Sequence, residues 1–96
     1  MTVERKVAET SLKKKGFIRD KQGDHIYYYH QYKGKRSGAY TYFSHTAKIK
    51  TLGPDLLQRM RPELRLDTIR QTADLLSCPM DRENYNHFLS DKGFLK

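Results

Sequence analysis

The chain of 96 residues has a single cysteine, Cys78. One cysteine excludes an internal disulfide framework and a cysteine-based zinc site. No apolar run approaches the roughly 20 residues a membrane-spanning helix needs, so no membrane partner is expected. No apolar stretch follows the charged N-terminus, so no secretory leader is expected, and the expected compartment is a reducing cytoplasm. A glycine-rich phosphate loop, a dinucleotide fingerprint, a paired-carboxylate site and a Ser–His–Asp order are all missing. Small-molecule enzymes of those types fit poorly. The four histidines show no His-x-x-x-His spacing, so neither a metal nor another cofactor is expected.

Acidic residues are also scarce in one half. Residues 1–50 carry twelve Lys/Arg against four Asp/Glu, whereas residues 51–96 carry seven of each. The formal net charge of +8 therefore sits in the first half. A one-sided positive field attracts a polyanion, most simply nucleic acid. The plainer reading is a well-solvated basic surface. Apolar residues make up 36 % of the chain, too many for a disordered tail. A chain of this length makes one domain with one modest core, burying about 60–65 % of its unfolded surface.

Helical spacing opens the chain. Val3, Val7, Ala8 and Leu12 share one face, with Thr2 as candidate N-cap. Lys13, Lys14 and Lys15 suit the last turn, and Gly16 the left-handed position that follows it. The period then becomes two. Strands are expected at Phe17 to Lys21, His25 to Tyr32 and Ala39 to His45. They are joined by a Gln22-Gly23-Asp24 turn and a basic loop from Lys33 to Gly38. In the second strand Ile26, Tyr28, His30 and Tyr32 share one face, and His25, Tyr27, Tyr29 and Gln31 the other. Helical spacing returns after Pro54 with Leu56, Leu57, Met60 and Leu64, and Pro62 must end or kink that helix. Asp67 is the expected cap of a further helix that Cys78-Pro79 closes, and Asp81 of a last one. The expected fold class is α+β, with helices on one face of a three-stranded antiparallel sheet. The expected core is Val7, Leu12, Phe17, Ile26, Phe43, Leu56, Met60, Ile69, Leu76, Tyr85 and Leu89.

His25 is the candidate catalytic residue. It follows a glycine turn and opens a strand between two basic segments. Imidazole exchanges protons near neutral pH, so it can take the proton of a ribose 2′-hydroxyl, which then attacks the adjacent phosphodiester. Basic side chains would hold the phosphate, and no metal is needed. The competing reading is a histidine that hydrogen-bonds locally at a strand start. His45 and Asp24 are candidate auxiliaries. His87 is expected at the surface. Six of the seven tyrosines lie between Tyr27 and Tyr42. Exposed, they could stack unpaired bases; packed under helices, they are ordinary strand residues.

Lys13-Lys14-Lys15-Gly16-Phe17, then Gly23-Asp24-His25, then Ser44-His45 resembles the HicA-type (YcfA-like) toxins of toxin–antitoxin systems. The resemblance spans roughly residues 5 to 66. It implies a double-stranded-RNA-binding-like helix–three-stranded sheet–helix core over residues 1–66, to which residues 67–96 are expected to add a C-terminal extension of two further helices packed on the same domain. It also implies mRNA cleavage that depends on His25, and neutralisation by a HicB-like antitoxin. The chain departs from the family pattern at Asp24, where a serine is usual, and in its added helices. Lys13, Lys14, Lys15, Lys33, Lys35 and Arg36 are the expected phosphate contacts. The rival expectation is a non-catalytic nucleic-acid-binding or protein-interaction module on the same fold.

Overall fold

The computed structural model describes residues 2–44, 50–77 and 79–95. Among them the chain is α+β. The order is β1 (Val3–Glu4), α1 (Arg5–Lys14), β2 (Phe17–Gln22), β3 (His25–Tyr32), β4 (Lys35–Ser44), β5 (Thr51–Leu52), α2 (Pro54–Glu63), α3 (Ile69–Leu75) and α4 (Arg82–Asp91). Strands β2, β3 and β4 form an antiparallel meander, and β1 pairs with β5 in a separate two-stranded ribbon. No described helix is long and apolar enough to cross a membrane.

The N-terminus departs from the helical expectation. Val3 and Glu4 are extended and pair with Leu52 and Thr51, so α1 starts at Arg5 with Glu4, not Thr2, at the cap position. The ribbon buries Val3 and Leu52 at one end of the core. Val7 was expected inside but is 40 % exposed, because α1 turns the face of Ala8, Ser11 and Leu12 inward instead. Gly16 takes φ +93, as its place after the helix requires. A Cβ there would meet the Gln31 carbonyl oxygen at 3.4 Å.

Both hairpins turn in two residues. Gly23 takes φ +58 between Gln22 and His25. Lys33 and Gly34, at φ 52 and φ 80, have the paired positive φ of a type I′ turn. The expected Lys33–Gly38 loop is thus a tight turn, and β4 runs on from Lys35. Pairing shifts between Tyr29 and Gln31, so that His30 faces Ser37 to Ala39 across a bulge. Gly38 supplies the positive φ, +96, within it.

The helices cover one face of the sheet. Phe17, Ile26, Tyr28, His30, Ala39, Thr41 and Phe43 point into this layer and are buried. From α1, Glu9 accepts a hydrogen bond from the Tyr28 hydroxyl at 2.8 Å. From α2, Glu63 accepts one from Thr41 at 3.0 Å. From α4, Tyr85 lies 5.7 Å from Phe17, ring centre to ring centre, and its hydroxyl donates to the Leu64 carbonyl at 2.8 Å. Residues from both sides of position 66 therefore share one core, with Leu75, Leu76, Tyr85 and Leu89 fully buried. Leu56 and Ile69 only flank it. Thr68, not Asp67, caps α3, in a reciprocal capping box with Gln71. Asp67 is drawn off to Lys92, 2.7 Å away. Asp81 caps α4 as expected, accepting from the Asn84 amide.

Candidate nucleic-acid interface

Among the described residues no helix covers the second sheet face. Strand alternation puts His25, Tyr27 and Tyr29 of β3 outward. The register sets Ser44, Tyr42 and Tyr40 of β4 opposite them. Four of the six clustered tyrosines are thus on the open face. Tyr28 is buried beneath the helices and Tyr32 half-buried on that same inner side. The outward rings form a quartet. Tyr27 and Tyr29 are near-parallel at 5.7 Å, Tyr27 and Tyr42 lie 5.5 Å apart, and Tyr29 and Tyr40 lie 6.3 Å apart. Ile18 of β2, 51 % exposed, extends the face beside Tyr29.

Two guanidinium groups stand on this pavement. Arg36 lies 4.0 Å from the centre of the Tyr29 ring, and Arg59 4.0 Å from that of Tyr42. Arg59 comes from α2 around the β4 edge, where its Nη2 donates to the Tyr42 carbonyl at 2.8 Å. Its Nε is buried and has no hydrogen-bond partner among the described residues. A buried unpaired donor is costly.

His25 is exposed at the rim, where β3 begins. Its ring sits edge-on to Tyr42 at 5.1 Å. It opens onto a cleft of about 90 Å³ lined also by Arg5, Ser44, Leu52, Leu56 and Arg59. Arg5 is held there by the Ser44 carbonyl at 2.6 Å and by Glu9 at 3.5 Å. A proton acceptor and two fixed positive groups thus border one small opening. Asp24 is exposed in the turn just before His25. The candidate auxiliary His45 lies outside the described residues.

Neither family models nor curated proteins nor solved structures give a match to this chain.

The expected phosphate contacts divide. Lys13 and Lys14 are exposed at the end of α1, and Lys33, Lys35 and Arg36 are exposed at the β3–β4 turn. The turn group lies at the end of the sheet far from His25, roughly 23 Å away along β3 at 3.3 Å per residue, whereas Lys13 shares a surface pocket with Arg19 and Tyr28 on the β2 side. Lys15 must be withdrawn from the set. It is 6 % exposed, and its Nζ donates to the carbonyls of Leu75 at 2.6 Å and Ser77 at 2.5 Å. Its charge caps the carbonyl end of α3.

Arg5 and Arg59 were missed in the sequence. Arg59 lies in the electrically neutral half, and nothing local says that α2 will bring it to the β4 edge. The one buried histidine among the described residues, His30, is explained structurally. His30 is fully buried, its Nε2 lies 2.8 Å from Asn86 Oδ1 and its Nδ1 2.7 Å from Ser37 Oγ. Burial, helped by the nearby Arg82 charge and opposed by the Asn86 bond, lowers its pKa below the ordinary value and keeps it neutral. His87 is exposed, as expected, and lies 3.5 Å from Asp91.

Proposed function

We propose that this protein is a metal-independent endoribonuclease of the HicA-like kind, acting on mRNA with His25 as general base. The observation that carries the reading is the His25 cleft, an exposed imidazole beside two positioned arginines. His25 takes the proton of a 2′-hydroxyl. The resulting oxygen attacks the adjacent phosphorus, the 5′-oxygen leaves and takes a proton from solvent, and a 2′,3′-cyclic phosphate forms. Arg59 and Arg5, which line the cleft, oppose the charge that develops on the phosphoryl oxygens. A HicB-like antitoxin covering this cleft is the protein partner the reading implies, and the cytoplasm its compartment.

The test is cleavage of a long unstructured RNA in the absence of divalent metal. Wild-type protein should cut it, His25→Ala should not, and a strand with 2′-deoxy sugars should resist both. Undiminished cutting by His25→Ala would remove His25 from the mechanism. A second reading, a non-catalytic nucleic-acid-binding or protein-interaction module, is favoured by Asp24, whose exposed carboxylate precedes His25 and repels phosphate. Absence of cutting by wild-type protein selects it.

A further inference from the structure

We propose that the open sheet face is a single-strand RNA platform, on which two unpaired bases stack against Tyr27 and Tyr40. The proposal rests on the nuclease reading only for the choice of RNA over DNA.

The quartet has two kinds of corner. Tyr29 and Tyr42 occupy diagonal corners, and each already carries a guanidinium, Arg36 and Arg59 respectively. The other diagonal, Tyr27 and Tyr40, carries no cation among the described residues. Both residues are half-buried, so part of each side chain is open to solvent. Every nucleobase has a π-face, so aromatic rings beside positive groups bind single strands with little sequence preference. A duplex hides those faces and gains nothing from the rings.

Charge sets the path. Asp20, on β2 opposite Tyr27, repels phosphate; its carboxylate accepts a hydrogen bond from Gln22 at 2.7 Å. The backbone is thereby directed to the β3–β4 side, between Arg36 at one end and Arg59 at the other. Arg59 also lines the His25 cleft, so a strand lying across the quartet arrives with a phosphodiester at His25. The platform thus connects the basic turn at Lys33 and Lys35 to a cleft at the far end of β3. Charge also argues against the other occupants of an apolar face. Two copies of a chain at +8 repel across a surface studded with arginine.

Binding is measured by fluorescence anisotropy with labelled ten-nucleotide oligonucleotides of 2′-deoxy or 2′-O-methyl sugar, which cannot be cut, and with the corresponding RNA duplex. Single strands should bind more tightly than the duplex. Tyr27→Ile and Tyr40→Ile keep a strand-forming side chain and remove the π-face; each should weaken single-strand binding about tenfold. Tyr27→Phe and Tyr40→Phe should bind within about twofold of wild type, which separates lost stacking from lost folding. Loss of RNA cutting with single-strand affinity kept would remove the nuclease and leave the platform standing. Wild-type affinity in the Ile variants, preference for the duplex, or a dimer in sedimentation that the Ile variants dissolve would each overturn the platform.

Discussion

His30 Nε2 lies 2.8 Å from Asn86 Oδ1, so the central strand of the sheet is tied to the last helix by a part-buried hydrogen bond. With Asn86 accepting, His30 carries its proton on Nε2 and Nδ1 accepts from the Ser37 hydroxyl. Ser37 in turn accepts from the Ala39 amide at 3.3 Å, inside the β4 bulge. Asn86→Leu leaves the buried Nε2–H without an acceptor. That should cost about 1–3 kcal/mol in denaturant unfolding, and Asn86→Gln should cost less if its longer amide still reaches.

The same pair sets a pH dependence. The folded-state pKa of His30 is lowered, so the unfolded chain binds the extra proton first. Its contribution to stability is full above the unfolded value, about 6.5, and is lost as pH falls below that towards the folded value. The slope is at most about 1.4 kcal/mol per pH unit for one proton. Glu63 acts in the opposite sense, since burial, opposed by Arg59 and the Thr41 bond, raises its pKa. Its contribution is full at low pH and lost as pH rises through the raised value. Thermal midpoints from pH 7.5 to 5 in a Glu63→Gln background should therefore fall monotonically. A flat profile there would show that His30 is not held neutral.

Lys15 and its neighbours should separate cleanly. Lys15→Met keeps the stem but removes the ammonium from the carbonyls of Leu75 and Ser77. Unfolding should become easier by about 1–3 kcal/mol, with the salt slope of RNA binding unchanged. Lys13→Met and Lys14→Met, both exposed, should leave the thermal midpoint within error.

Charge reversal at Lys33, Lys35 and Arg36 tests the basic turn. RNA affinity should fall across all sequences, with the log–log salt slope shrinking by about 0.7 for each single-strand phosphate that is no longer neutralised. An unchanged slope would leave these side chains as a solvated surface.

Arg59→Lys should reduce cutting while keeping positive charge, because an ammonium does not reproduce a planar guanidinium laid on Tyr42 and bonded to its carbonyl. A rate loss of about 10²-fold or more is expected if Arg59 stabilises the transition state. Single-turnover cleavage measures it, and a rate equal to wild type would place Arg59 outside the reaction.

The local elements were legible in the residues because their causes are local. The alternation of His25 to Tyr32 puts Ile26, Tyr28 and His30 on one face and Tyr27 and Tyr29 on the other, and the first three are buried while the last two are half-buried. Gly16, Pro54 and Asp81 mark helix ends through backbone geometry and capping that neighbours in sequence supply. Tertiary packing decided the rest. Thr51 and Leu52 took Val3 and Glu4 into a ribbon and so moved the start of α1. The carbonyls at the end of α3 turned Lys15 inward, although its sequence neighbours Lys13 and Lys14 face water. The placement of α2 beside β4 carried Arg59 from a neutral segment onto Tyr42 and next to His25. Periodicity states which face a residue occupies; what that face meets depends on segments tens of residues away, and only the folded chain brings them together.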